Sequence, residues 1–386
     1  MSILIKCGRL IDGKGGDPLE NASILVEGQK ISAVGRSMEL KVPPETRVID
    51  LPNSTVLPGM IDAHTHLMQQ FGEDPNEKYP QPELYEMLKS VRNMRWDIRC
   101  GITTIRNPGE RSWRAIPIRH GIERGIIPGP RILTGIRGIR PTHGWGQNAF
   151  GFDGVESLRK AIRENVEAGA DLIKIYVSGS HFAGNGTKCY MTPEEIHVCT
   201  DEAHQVGLPV VVHCHGGTGV KQCVEAGVKT IEHLTMMTEE DIELFLKHGT
   251  TLVATFNPYF HESTLAGRTP EIAAKVIEAQ ENMRKIFPKA FKSGIKFTVG
   301  TDSTHGNFVF ELEMLVQMGL SPMQAILTCT RQAAETLGIL EYTGTLEPGK
   351  WADIIGVPEN PLENISRLRN VNFVMKAGVH FDLSSL

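Results

Sequence analysis

A chain of 386 residues is long enough to bury one large core or two smaller ones, and its 40% hydrophobic and 22% charged content is that of an ordinary globular protein. A net charge of −5 offers no surface for nucleic acid or an anionic membrane, and no apolar run reaches the roughly 20 residues a membrane-spanning helix needs. The seven cysteines are odd in number, dispersed and without a CxxC pair, which predicts reduced thiols in a cytoplasmic protein rather than a disulfide framework or a thiolate zinc site.

The N-terminus, "MSILIKCGRLIDGKGG", alternates like a strand and lacks the apolar core of a signal peptide. The next two β-rich stretches, "ASILVEGQKISAVG" and "TRVIDLPNSTVLPG", are punctuated by Gly, Asn and Pro. Then comes "PGMIDAHTHL", where an apolar run meets His64 and His66. Side chains at i and i+2 of a strand share a face, so two imidazoles so placed could hold one metal ion. They could equally be two solvated residues at a strand mouth.

From there the pattern alternates. "MIDAHTH", "GITTIRN", "PRILTG", "DLIKIYVSG", "LPVVVHCHG", "KTIEHL", "TTLVATF" and "IKFTVGTD" are eight strand-length apolar runs. Amphipathic segments lie between them, among them "ESLRKAIRENVEAG", "TPEEIHVCTDEAHQVG" and "TEEDIELFLKHG". Many begin at Thr, Ser or Pro and end at Gly, as helix caps favour, and "TPEE" adds a capping-box pattern. Eight β units alternating with helices predict an α/β fold, a parallel (β/α)8 TIM barrel. A doubly wound open sheet is the competing topology, but neither GxGxxG after an early strand nor GxxxxGK[ST] occurs. The last stretches, "TGTLEPGKWADIIGVPEN" and "VNFVMKAGVHF", are β-rich again. The two chain ends could therefore pair into one small β domain of residues 1–57 plus 343–386, leaving 58–342 as the barrel.

A barrel strand carries its reactive groups at its C-terminal end. Five strands here share that form, reaching His64 and His66, Lys174, His213, His233, and Asp302. Burying a lysine or histidine costs free energy unless a partner compensates. Four imidazoles with a carboxylate suit a divalent ion such as zinc, with cobalt, manganese and iron as alternatives. Cys214, between two of the histidines, is read as a small core residue rather than a nucleophile.

This ordered set resembles the amidohydrolase superfamily, and the resemblance runs from the opening "DGKGG" through "PGMIDAHTH" to the closing "GTLEPGKWADIIG". It implies a metal-bearing (β/α)8 barrel beside a small β-sandwich built from both chain ends. In binuclear members the lysine is carboxylated and bridges two ions. By that resemblance His64, His66, Lys174 and Asp302 hold one divalent ion, and Lys174, His213 and His233 hold the other. The implied chemistry is amide hydrolysis by a hydroxide bridging two ions, with Asp302 as general base and then acid. "GADLIKIYVSG" and "TIEHL" resemble the branch with Xaa-Pro dipeptidases and imidazolonepropionase-like enzymes, so a dipeptide or N-acyl amino acid is the expected small-molecule substrate. A deaminase or cyclic-amide hydrolase acting on a heterocycle or xenobiotic is the alternative.

His143, after the third strand, stands where relatives place a histidine that polarises the scissile carbonyl. Tyr190 occupies the place of a substrate-contacting tyrosine, and Lys188 could meet a substrate carboxylate. Arg106, Arg111 and Arg140 are further candidates at loop positions, while His181, His215 and His305 are read as supporting or solvated, and Phe256 as core. A homo-oligomer is the default expectation for a soluble enzyme.

Overall fold

The structure, a computed structural model, describes residues 2–36, 39–70, 82–146 and 149–386. Strands β1 (Ser2–Leu10), β2 (Leu19–Glu27), β3 (Lys30–Arg36) and β4 (Arg47–Pro58) open the chain. They are followed by β5 (Met60–Asp62), β6 (Ile102–Asn107), β7 (Arg131–Thr134) and two short strands, β8 (Gly138–Arg140) and β9 (Ala149–Gly151). Next come β10 (Ile173–Tyr176), β11 (Val210–Cys214), β12 (Thr230–His233), β13 (Thr251–Ala254) and β14 (Lys296–Val299). The chain closes with β15 (Ile354–Pro358), β16 (Phe373–Lys376) and β17 (Val379–His380).

The chain ends do pair. They form one seven-stranded sheet in the order β17-β16-β15-β4-β1-β2-β3. Its seam is the antiparallel pair β15 and β4, in which Ile354 lies opposite Pro58 and Ile355 opposite Leu57. A separate apolar cluster that includes Ile5, Leu10, Ile24, Ile31, Val56, Ile354 and Met375 fills this region.

All eight apolar runs between the ends form strands: β5, β6, β7 and β10 to β14. They lie in a three-stranded parallel sheet, β5-β6-β7, and a seven-stranded one, β14-β13-β12-β11-β10-β8-β9. Backbone hydrogen bonds join the two sheets at both edges: Asp171 N to Thr134 O (2.8 Å) beside β7 and β10, and Ala63 N to Val299 O (3.1 Å) beside β5 and β14. Runs such as Val210–Cys214 and Thr251–Ala254 are buried on both faces, which is why they read as continuous apolar stretches rather than alternating ones. The intervening helix Pro193–His204 starts with the capping box expected of "TPEE": Thr192 accepts from the Glu195 N–H while the Glu195 side chain reaches back. Helix Glu239–His248 starts the same way at Thr238 and stops at Gly249 in the left-handed conformation. No helix among the described residues is long and apolar enough to cross a membrane.

Candidate metal centre

The polar residues anticipated at strand ends converge on one side of the parallel sheets. His64 and His66 lie just beyond β5 rather than within it, yet the segment stays hydrogen-bonded to both neighbours, through Ala63 N to Val299 O and Thr65 N to Arg106 O. Asp302, past β14, donates its own N–H to His64 O at 2.9 Å. The close approach requires Gly300: a Cβ there would lie 2.4 Å from the His64 nitrogen. Asp62 braces the same junction, accepting from the N–H of His64 (3.0 Å) and the hydroxyl of Thr301 (2.7 Å). Two of the converging residues, His233 (φ 70°) and Asp302 (φ 49°), adopt left-handed backbone that non-glycine residues seldom take up. Such strain persists where the surroundings over-determine a geometry, and it is characteristic of functional sites.

Asp302 Oδ1 stands 3.4 Å from His64 Nε2 and 3.6 Å from His66 Nε2, and its Oδ2 is 3.8 Å from His233 Nδ1. His64, His66 and Asp302 thus offer three ligand atoms within 4.8 Å of one another. The ring centroids of His64 and His233 are 4.9 Å apart, and those of His213 and His233 are 4.7 Å apart. His64, His66, Lys174, His213, His233 and Asp302 all line one cavity of about 120 Å³.

Each imidazole is oriented by a partner on its far side. His64 Nδ1 donates to the Glu232 carboxylate, and His66 Nδ1 donates to Gly109 O at 2.7 Å. These partners can only accept, so they fix a proton on Nδ1 and leave Nε2 facing the cavity. His213 is held the other way, with Nε2 donating to Gly179 O at 2.9 Å. His233 Nδ1 is 2.8 Å from Thr255 Oγ1. An imidazole tethered through one nitrogen and open at the other is the usual state of a metal-binding histidine. Burial pulls the His66 and His213 pKa values down to about 3, so both rings are neutral at physiological pH. Burial alone would raise the Asp302 pKa, but His64, His66 and Lys174 hold it well below the usual carboxylate range.

Lys174 is the fully buried cation of the site, and its Nζ has no hydrogen-bond partner among the described residues. Burial lowers its pKa to about 8, against the pull of nearby Glu232. A buried amine without a partner among the described residues, next to imidazoles tethered on their far sides and an ionised carboxylate, is a donor set that fits divalent cations. The residues present therefore suit the metal that the pattern implies.

Several residues fall elsewhere than expected. Arg106 is not on a loop: it sits within β6, 3% exposed, and donates to Glu232 at 2.9 and 2.7 Å and to Ala63 O. The strand extends one residue past the charge, to Asn107, so a guanidinium that follows the short apolar run "ITTI" still belongs to the buried strand. Arg140 donates to the carbonyls of Pro141, Thr142 and Gly144 and so shapes its own loop, while Arg111 is exposed. His143, Tyr190 and Lys188 gather beside the pocket: the His143 and Tyr190 rings are 5.6 Å apart, and the Lys188 ammonium is 5.1 Å from the Tyr190 ring. None of the three is among the residues lining the cavity; Trp145, two residues after His143, is.

His181 and His215 both reach Thr235 Oγ1, at 2.9 and 3.1 Å, and His215 stacks on His233 at 5.0 Å. His305 bridges Asp97 (2.8 Å) and His66 O (2.9 Å), two acceptors, and although burial opposes it Asp97 raises the His305 pKa above its ordinary value. Phe256 is core, packed on Phe260 and Phe287. Cys214 is fully buried, and burial pushes its thiol up to about 12, so it is no nucleophile.

Sequence reasoning passed over Glu232, the carboxylate that orients His64 and pairs with Arg106. Burial alone would raise its pKa, but Arg106 and His64 keep it ionised. The available signal was a charged residue inside the otherwise apolar "TIEHL". It also passed over Tyr176, Tyr259 and Phe182, which line the cavity.

The sequence model of the amidohydrolase family matches residues 55–380. Ochratoxinase of Aspergillus niger is 28% identical over 426 residues, covering 98% of this chain and 86% of that protein. Imidazolonepropionase of Acinetobacter baumannii is 23% identical over 386 residues, with 87% of each chain covered. Among solved structures, a Xaa-Pro dipeptidase with bound methionine in its active site superposes with a TM-score of 0.90 at 30% identity, covering 99% of this chain and 100% of the other.

Proposed function

This chain belongs to the amidohydrolase family, and we propose that it is a binuclear metal-dependent hydrolase of a small acyclic amide, a dipeptide or an N-acyl amino acid. The observation that carries the reading is the set of tethered imidazoles: His64 and His66 each spend Nδ1 on a far-side acceptor and bring Nε2 within 3.6 Å of Asp302, and His213, tethered through Nε2 to Gly179, lines the same cavity as Lys174. The likeness to a Xaa-Pro dipeptidase supports the dipeptide class. In this reading the parallel sheets close into one (β/α)8 barrel of residues 58–342, and residues 1–57 with 343–386 form a β-sandwich domain.

Lys174 carries a carbamate formed with carbon dioxide, for which its lowered pKa supplies the neutral amine. His64, His66, Lys174 and Asp302 would hold one ion, and Lys174, His213 and His233 would hold the other, with zinc as the proposed metal. When bound, divalent ions supply Lewis acidity toward a carbonyl oxygen and a water acidic enough to ionise near neutral pH. Asp302, kept ionised by its histidine neighbours, takes a proton from the attacking water and returns it to the departing amine. His143, Lys188 and Tyr190 meet the substrate from the pocket's rim.

Metal-reconstituted protein screened against dipeptides, N-acyl amino acids, lactams and aminated heterocycles tests this. Free amine should be released from an acyclic amide, cease on chelation and return with added zinc, at two ions per chain. Full metal loading with no amide turned over would reject the proposal. A second reading, hydrolysis of a neutral cyclic or xenobiotic amide, is favoured by the cavity walls. Trp145, Phe182 and Tyr259 line it, and among the described lining residues Lys174 is the sole lysine or arginine. Turnover confined to lactams or heterocycles would select it.

A further inference from the structure

Two polar side-chain atoms in the cavity have no hydrogen-bond partner among the described residues, Lys174 Nζ and the Tyr176 hydroxyl. They sit at alternate positions of β10, so both project from the same face of that strand. The proposed metal chemistry gives the amine a use. It gives the phenol none. A buried hydroxyl left unpaired costs stability, and a tyrosine this deep normally finds an acceptor for its O–H.

The ring cannot swing out to water. It is 4% exposed and packs against His213 with centroids 5.2 Å apart. The Lys174 ammonium lies 5.0 Å from its centroid, and a Cβ added at Gly146 would come within 3.1 Å of its Cγ and Cδ1. Gly146 adopts φ +139°, a conformation that favours glycine, so backbone and ring are fitted to each other. The hydroxyl is therefore buried, its ring is packed on several sides, and it lines the same cavity as Lys174 and Asp302. The imidazoles lining the same cavity already use a ring nitrogen on protein partners. His143, expected at the carbonyl, is not among the lining residues.

We propose that the Tyr176 hydroxyl is a catalytic hydrogen-bond donor to the carbonyl oxygen of the scissile amide, a contact that strengthens as that oxygen gains negative charge. The phenol keeps its proton throughout, and no covalent bond to it forms or breaks. This rests on the amide-hydrolase reading and adds to it the group that stabilises the developing oxyanion. Preorganised donors of this kind act mainly on the transition state, because they are already oriented when the charge appears.

The test compares metal-loaded parent with Tyr176→Phe in four measurements. These are turnover of the best amide found, affinity for N-(methylphosphonyl)-L-phenylalanine as a tetrahedral mimic, affinity for planar N-acetyl-L-phenylalanine, and metal content with melting temperature. Loss of the donor should lower kcat by about 10²–10³-fold, the scale set by removal of one oxyanion donor, with KM little changed. The mimic should bind at least about tenfold more weakly while the planar compound is unaffected. Metal content should hold, and the melting temperature should stay or rise, since the hydroxyl has no protein partner to lose.

Unchanged turnover and unchanged mimic affinity overturn the proposal. So does loss of metal in Tyr176→Phe, which would put the hydroxyl on the metal-holding groups instead. If the loaded parent cleaves no amide, the hydrolase reading fails by itself, and the mimic affinities still decide the role of Tyr176. A parent that does not bind the mimic overturns this proposal as well.

Discussion

The sheet built from the chain ends and the C-terminal ends of the parallel strands make opposite uses of burial. The first buries Ile5, Leu10, Ile24, Ile31 and Ile354, which need only a fit and a dry place. The second buries histidines that include His64, His66, His213, His215 and His233, together with Lys174, Arg106 and carboxylates such as Glu110 and Glu232. Each of those must be matched by a partner or given up as a cost. Arg106, Glu232 and His64 are matched to one another, whereas Lys174 Nζ and the Tyr176 hydroxyl have no partner among the described residues. The difference teaches that stability and function are separated in space here: one region lowers the free energy of folding, and the other gives some of it up to hold reactive groups in place.

Substitutions in the two regions should separate accordingly. The largest effect is expected at Asp302→Asn, with kcat of the metal-loaded variant down by about 10²–10⁴-fold, roughly 3–5 kcal/mol of transition-state stabilisation, while the melting temperature stays near the parent's. Near-normal turnover in a metal-loaded variant would remove Asp302 from the mechanism. Next is Ile24→Ala in the chain-end sheet, where an emptied buried site should cost about 2–5 kcal/mol of unfolding free energy in denaturant titrations. The kcat of the protein that remains folded should not move. A large fall in kcat there would erase the contrast between the regions.

Glu232→Gln should follow, weakening metal binding by about 10–100-fold, or roughly 1.4–2.7 kcal/mol, because His64 loses the carboxylate that orients it. Competition with a chromophoric chelator measures this, and an unchanged affinity would show that the Glu232 contact serves only Arg106.

The smallest effect is on pH dependence of the metal-free protein, because two opposing sets of groups partly cancel. His66 and His213 are held near 3 by burial, below their ordinary 6.5. The unfolded chain therefore binds their protons first, and stability that is complete above about pH 6.5 is lost as pH falls toward 3. Asp62 and Glu110 are raised by burial to about 7 and Glu311 to about 8, so the stability they contribute at low pH is lost as pH rises through those values. The melting temperature should be highest between about pH 4.5 and 6.5, with the steepest decline below 4.5. A melting temperature that climbs steadily down to pH 3 would contradict the neutral state of the buried imidazoles.

Much of this was legible in residue order. Apolar runs that stop at His64, His213, His233 and Asp302 are local patterns, and so is the capping box at Thr192, because both depend on neighbours a few positions away. The pairing of the chain ends was legible as matching β character, although the partners Pro58 and Ile354 are nearly 300 positions apart. Glu232 was not legible as the orienting group of His64, since nothing in "TIEHL" names a histidine far upstream. Arg106 looked like a loop residue because its three partners, Ala63, Thr230 and Glu232, all lie far from it in the sequence. The gathering of His143, Lys188 and Tyr190 against one another, off the cavity lining, depends on how two loops far apart in sequence meet.

By itself the amino-acid order determined which residue types stand at the ends of which strands, because strand period, caps and breakers act over a few bonds. Tertiary structure alone decided which nitrogen of each imidazole faces inward, and which buried polar groups are satisfied and which are left over. Those outcomes follow from hydrogen bonds, which weaken steeply with distance and angle. They exist only once segments far apart in the chain have been brought within about 3 Å.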